Sequence, residues 1–159
     1  AGLVRGDMRV LPFGAGAFSA VAQFFTSFGY FATWEEDAAV LEEVARVLRP
    51  DGCALLDFLH ADHVRNDLVP EDERTVGGTR VRQERRIEGD AVVKRIEIEP
   101  EAPGGPERVF HERVRLYEPE VLEAMMERAG LRVTERRGDY GGGELGPGST
   151  RVILLGRAE

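Results

Sequence analysis

Apolar residues follow three rhythms along this chain. Between Thr33 and Leu48 they recur at helical spacing, with Leu41, Val44, Ala45 and Leu48 on one stripe, which predicts an amphipathic helix. Thr33 and Glu36 read Thr-x-x-Glu, a capping box, and Glu35, Glu36 and Asp37 fill the first turn, where the helix dipole favours negative charge. Arg46 and Arg49 suit the other end, and Pro50-Asp51-Gly52 stops the helix. The second rhythm is continuous. Phe18 to Phe25 and Cys53 to Phe58 are short, nearly unbroken apolar runs, the pattern of strands covered on both faces. Strand, capped helix and strand together make a βαβ unit over 18–58. The third rhythm is alternation. Thr79 to Arg86, Ala91 to Glu99 and Glu107 to Leu116 alternate polar and apolar residues, with Gly89-Asp90 and Pro103-Gly104-Gly105-Pro106 as turns between them. This predicts an antiparallel meander with one wet face.

The remaining elements are shorter. Gly2 to Arg5 reads as a strand that turns at Gly6-Asp7. A second helix is expected over about Glu118 to Ala129, with Pro119 at its first position and Gly130 past its end. Its stripe is Val121 or Leu122, Met125, Met126 and Ala129. Leu131 to Arg137 and Thr150 to Gly156 read as two final strands. Between them, Gly141 to Gly146 matches GxGxxG letter for letter. A dinucleotide loop needs a strand before it and a helix after it, and here a strand follows, so a glycine-rich hairpin is expected. Gly14-Ala15-Gly16 is set aside on the same ground.

Composition narrows the reading. A chain of 159 residues, 42% hydrophobic and 31% charged, suits a single domain with a real core. A net charge of −8 opposes binding to phosphate backbones. The single Cys53 makes no internal disulfide, and no Cys/His cluster suggests a metal site. No run of about 18 apolar residues predicts a membrane span, and no signal peptide is expected. Lys94 is the single lysine beside many arginines, a bias expected of GC-rich bacterial coding. A bacterial, cytoplasmic protein is the expectation.

The order of segments carries a resemblance. A strand, Gly6-Asp7-Met8, Leu11-Pro12-Phe13, a strand opening Phe18-Ser19-Ala20-Val21, a capped helix ending in VLRPDG and the strand CALLDF resemble the C-terminal two-thirds of class I S-adenosylmethionine-dependent methyltransferases. RVRLYEPEVLEAMMERAGL, the GDYGG loop and the final strand TRVILLGR are similar to a common bacterial branch of that superfamily. The resemblance implies an α/β fold, a partial Rossmann-like methyltransferase sheet with an inserted antiparallel β-meander. Residues 1–60 and 117–159 would form the core and 64–116 the insertion. It also implies that the glycine-rich cofactor loop and the ribose-binding strand precede Ala1, roughly 60–100 residues away. The 159 residues alone are therefore expected to be an inactive fragment. The Phe18 strand is expected to pair with the Leu3 strand or with a second copy.

The resemblance also assigns residues. Asp7 would accept from the adenine amino group, with Gly6 and Met8 beside the ring. Phe24 and Phe25 would line the methionine end of S-adenosylmethionine. Ligands of open α/β sheets lie beyond the carboxyl ends of the strands. His60, just past a strand end and able to titrate near neutrality, is the candidate base, and Tyr30 a second catalytic candidate. Phe28, Tyr117 and Tyr140 are candidate acceptor-lining residues, with Tyr140 on a glycine-rich flap. The expected reaction is methyl transfer to a small-molecule acceptor, with no metal, no nucleic acid and no membrane partner. A homodimer is expected through the strand edge or the meander. The competing reading is a non-catalytic interaction or dimerisation domain on the same scaffold.

Overall fold

The computed structural model describes residues 2–100, 105–106 and 108–159. Among the described residues there are eight strands and three helices: β1 (Phe18–Gln23), α1 (Trp34–Val47), β2 (Leu48–Leu59), α2 (Ala61–Asp67), β3 (Glu71–Val76), β4 (Thr79–Glu88), β5 (Ala91–Ile98), β6 (Arg108–Arg115), α3 (Pro119–Arg128), β7 (Leu131–Arg137) and β8 (Arg151–Ala158). Among the described residues no helix is long and apolar enough to cross a membrane.

The strands form two four-stranded sheets. The first has the order β1-β2-β8-β7, with β1 and β2 parallel and β8 antiparallel to both β2 and β7. Helix α1 is the crossover of the expected βαβ unit, and its capping box is formed. The Thr33 hydroxyl accepts from the Glu36 N–H at 3.3 Å while the Glu36 carboxylate accepts from the Thr33 N–H at 3.2 Å. Val40, Leu41 and Val44 of α1, Leu56 and Phe58 of β2, and Leu122 and Met126 of α3 meet in one core. At Gly156 of β8 a Cβ would lie 2.9 Å from Met126 Cε, so this glycine lets α3 settle onto the sheet.

The second sheet is the antiparallel meander β3-β4-β5-β6. Gly89, at φ 60°, and Asp90 turn β4 into β5. The meander is stitched to the first sheet at Gly29. Arg115 N donates to Gly29 O at 2.9 Å, and Arg115 Nη2 donates to Ala32 O at 2.8 Å. Gly29 has φ 83°, and a Cβ there would lie 3.2 Å from Arg115 O, so glycine is required twice over. Of the expected Pro103–Pro106 turn, Pro103 and Gly104 lie outside the described residues, as does Glu107.

Three expectations are corrected. Residues 2–6 form no strand; Leu3 and Val4 are exposed, and an apolar run with no neighbour to accept its hydrogen bonds gains nothing from extension. The chain that follows is strapped to the outside of α1 instead, through Leu11 N to Glu43 Oε2 at 2.7 Å and Arg46 Nη1 to Phe13 O at 2.9 Å. The Phe18 run ends as a strand at Gln23 and leaves Ser19, Ala20 and Ala22 exposed, so it is not covered on both faces; among the described strands β2 is its one neighbour. The Pro50-Asp51-Gly52 stop is absorbed as a register shift at the start of β2, between the pairs Phe18↔Leu48 and Ala20↔Cys53.

Candidate active site

The parallel strands β1 and β2 both run out at the same edge of the first sheet, and the chain that leaves β1 is bent sharply there. Phe25 and Thr26 have φ of 56° and 62°, two successive side-chain-bearing residues in the left-handed region. Each such residue costs on the order of 1–3 kcal/mol unless its surroundings impose it. Asp57, near the end of β2, imposes it. Its Oδ2 accepts from the Phe25 N–H at 2.7 Å, and its main-chain carbonyl accepts from the Thr26 N–H at 3.1 Å.

Asp57 is 1% exposed, and a buried carboxylate needs charged or hydrogen-bonding partners. Arg151, at the start of β8, supplies Nε at 2.8 Å and Nη2 at 2.5 Å to Oδ1. The same Nη2 donates to Thr26 Oγ1 at 3.2 Å. The Tyr140 hydroxyl donates to Asp57 Oδ2 at 2.8 Å, and its ring lies 5.7 Å from the Arg151 guanidinium. That donation holds the Tyr140 phenol above its ordinary pKa.

Beyond the bend lies a cavity of about 290 Å³. Phe25, Thr26 and Tyr30 form one wall, Leu59 and α2 a second, and the inner face of the meander the third. The meander contributes Lys94 and Glu112, paired across β5 and β6 at 3.2 Å. Burial, and then the nearby Glu112 charge, raise the Tyr30 phenol pKa. Tyr30 is thereby a neutral hydroxyl at neutral pH, able to donate and accept a hydrogen bond but poorly suited to be a base.

The Gly6–Met8 segment is held beside this edge. Asp7 closes a turn through Arg9 N to its Oδ1 at 2.9 Å, and Arg9 reaches Glu36 in the first turn of α1. The Arg9 guanidinium lies 4.3 Å over the Phe31 ring, on the segment that joins β1 to α1. Hydrogen bonding from Arg9 lowers the Asp7 pKa to about 2, so its exposed carboxylate is an ionised acceptor. Phe24 and Phe25 present exposed rings at the end of β1. These residues fit an amino-bearing aromatic ring at Asp7 and an apolar cationic group at the phenylalanines.

The structure separates other candidates. His60 caps α2 from the end of β2 and is 4% exposed, and its Nδ1 meets no hydrogen-bond partner among the described residues. It lines a different cavity, of about 740 Å³, walled by Glu118, Glu123, Arg136 and Glu144, and not the one that Tyr30 lines. Phe28 and Tyr117 are corrected from acceptor-lining to core residues. Phe28 is wholly buried, with its ring 6.1 Å from Phe58 and 5.9 Å from Tyr117. The Tyr117 hydroxyl donates to buried Asp37 at 2.8 Å. Both glycine-rich segments set aside on the sequence lead into strands, β1 and β8. The sequence reading passed over Asp57, Arg151, Lys94 and Glu112. A lone acid at the end of the apolar run Cys53 to Phe58 was the available signal for the first of these.

Known proteins share this architecture. Residues 1–56 match the family model of a methyltransferase domain. A dTDP-3-amino-3,4,6-trideoxy-alpha-D-glucopyranose N,N-dimethyltransferase of Streptomyces venezuelae is 35% identical over 148 residues, 88% of this chain and 61% of that protein. The structure of Streptomyces venezuelae DesVI superposes with a TM-score of 0.71 at 28% identity, covering 98% of this chain and 64% of the other. An S-adenosylmethionine-dependent methyltransferase from Clostridium acetobutylicum matches with a TM-score of 0.84 at 15% identity, over 98% of this chain and 63% of the other. In fold and in sequence the chain is similar to S-adenosylmethionine-dependent methyltransferases. It spans less than two thirds of the length of these relatives.

Proposed function

We propose that this protein transfers a methyl group from S-adenosylmethionine to the nitrogen of a small amine, an amino sugar in the first instance. The observation that carries the reading is the cavity at the end of β1, beside two exposed phenylalanines and lined by Tyr30, Lys94 and Glu112, in a chain 35% identical to an amino-sugar N,N-dimethyltransferase. The cofactor, when bound, supplies an electrophilic methyl on a sulfonium. The protein's part is orientation and exclusion of water. Asp7 would accept from the adenine amino group, while the Phe24 and Phe25 rings would flank the sulfonium. The Tyr30 hydroxyl and the Glu112 carboxylate would hold the acceptor amine with its lone pair toward the methyl. Glu112 can take the proton that the amine must lose, and Lys94 keeps Glu112 in place.

The test is methyl transfer by the intact protein from isotopically labelled S-adenosylmethionine. The acceptors are a nucleotide-linked amino sugar, its hydroxyl analogue and a simple aliphatic amine, with products followed by mass. Labelled mono- and dimethylated amino sugar is the expected result. Transfer only to the hydroxyl analogue, or to none of the three, would overturn the reading. A separate proposal concerns assembly: among the described strands β1 is bonded to β2 alone, an edge that fits strand pairing, with a second copy as the occupant.

A further inference from the structure

We propose that Asp57 is a positioning residue for the acceptor cavity: it locks the bend at Phe25–Thr26 and the glycine-rich segment 138–149 to one another, so that closing the segment sets the cavity wall. The inference rests on the methyltransferase reading for its kinetic half and on geometry alone for its structural half.

Four residues donate to this one side chain or its carbonyl from parts of the chain remote in sequence. Phe25 N, Tyr140 Oη and Arg151 reach the carboxylate, and Thr26 N reaches the main-chain oxygen. Arg151 closes the ring by donating to Thr26 Oγ1 at 3.2 Å. The two residues held in the left-handed region are the same two that line the cavity of about 290 Å³. Neither Phe25 nor Thr26 would keep that conformation without its partners, since a bulky or β-branched residue is a poor occupant of it. Asp57 itself lines neither this cavity nor the larger one beside His60. Its influence passes through the groups it holds.

Tyr140 makes the link conditional. Tyr140 is 63% exposed and sits in a segment with glycines at 138, 141, 142, 143, 146 and 148 that is hydrogen-bonded within itself, as from Gly138 N to Gly143 O at 2.8 Å, so its hydroxyl is what ties the segment to Asp57. When the phenol is seated on Oδ2, it shares an acceptor with the Phe25 N–H. Release of the segment would leave that oxygen open to water and loosen the bend. Acceptor entry and cavity closure would then be one event, read through a single carboxylate.

Three variants of the intact protein test this, by steady-state kinetics for both substrates and by amide deuterium exchange. Tyr140→Phe removes the one hydroxyl that the segment gives to Asp57 and keeps the ring. It is expected to raise the acceptor KM about fivefold, to leave the cofactor KM within twofold, and to speed exchange both in 138–149 and in 24–30. Asp57→Asn keeps the shape of the side chain but not its charge, and should cost on the order of 100-fold in kcat/KM for the acceptor, the scale of a misplacement of about 1 Å. Should Asp57→Asn not fold, Thr26→Val, which deletes the hydroxyl that Arg151 grips, takes its place with a smaller change in the same direction. Faster exchange in 138–149 with 24–30 unchanged would overturn the coupling. So would an equal loss against both substrates. If the wild-type protein methylates no amine at all, the functional reading fails, while the exchange results still decide the coupling.

Discussion

Asp37 shows what one buried group can demand of its neighbours. It is fully buried, accepting from Tyr117 Oη at 2.8 Å and from Phe31 N at 3.2 Å. Burial raises its pKa, and the Tyr117 hydrogen bond works against that rise. The folded value lies above 3.8, so this carboxyl contributes stability in full below 3.8 that is lost as pH climbs through the folded value. Tyr117→Phe removes the bond that favours the ionised form. It should cost roughly 1–3 kcal/mol, more at neutral pH than in acid. Urea unfolding at the two pH values checks this, and an equal loss at both would contradict it. A second residue carries strain. Asp51 sits in the Pro50-Asp51-Gly52 segment with a φ of 60°. Asp51→Gly removes the left-handed penalty and keeps the carbonyl that accepts from Arg157 at 3.1 Å. The variant is expected to gain about 0.5–1 kcal/mol in the same urea assay. Its neighbour behaves oppositely: a Cβ on Gly52 would lie 2.7 Å from Arg49 O, so Gly52→Ala should destabilise.

Among the elements, α1 was legible because its local signals agreed: cap, acidic first turn, apolar stripe. Loss of one of these has a known scale. Thr33→Ala should lower stability by about 1 kcal/mol, read as a shift of the urea midpoint without a change of slope. Elements without such agreement were missed. Helix α2 is seven residues long and its N-cap His60 offers no side-chain bond, so the stretch after β2 read as loop. Strand β3 is exposed along most of its length and exists through its ladder with β4 and ion pairs such as Arg85–Asp72 at 2.5 Å, which no periodicity encodes. The site was legible in the same proportion. Strand ends pointed to Phe24, Phe25 and Tyr30, and of these Phe25 and Tyr30 line the cavity. The hub at Asp57 depends on Arg151 and Tyr140, more than 80 residues away, and only the antiparallel return of β8 brings them together. Phe28 and Tyr117 were misread for the converse reason: sequence position put them near strand ends, and the seam between the two sheets buried them.

At the scale of the whole molecule, both sheets are open ladders, and of their four edge strands among the described residues β1 alone carries no charge. The meander packs its Val81 and Val114 side inward and ties itself to the Gly29 turn. In the first sheet, β2 and β8 are flanked on both sides, while β1 is bonded to β2 alone among the described strands and has Ser19, Ala20 and Ala22 exposed. These are small residues with no charge among them, and such an edge has none of the usual protection against pairing. The 159-residue chain, prepared by itself, should therefore self-associate, with a weight-average mass in sedimentation that rises with concentration above the monomer value of 17.6 kDa. Two lysines on one side of the strand, Ala20→Lys with Ala22→Lys, would place like charges along the edge of each copy and should shift the population toward monomer. The shift should weaken as salt is added, because exposed charges about 10 Å apart are screened at 0.1 M. If the association instead ran through the meander, the double variant would sediment like the parent and Lys94 or Phe110 substitutions would be needed to disperse it. A monomer at every concentration would mean that the bare edge of β1 is tolerated, and that the proposed pairing with a second copy is wrong.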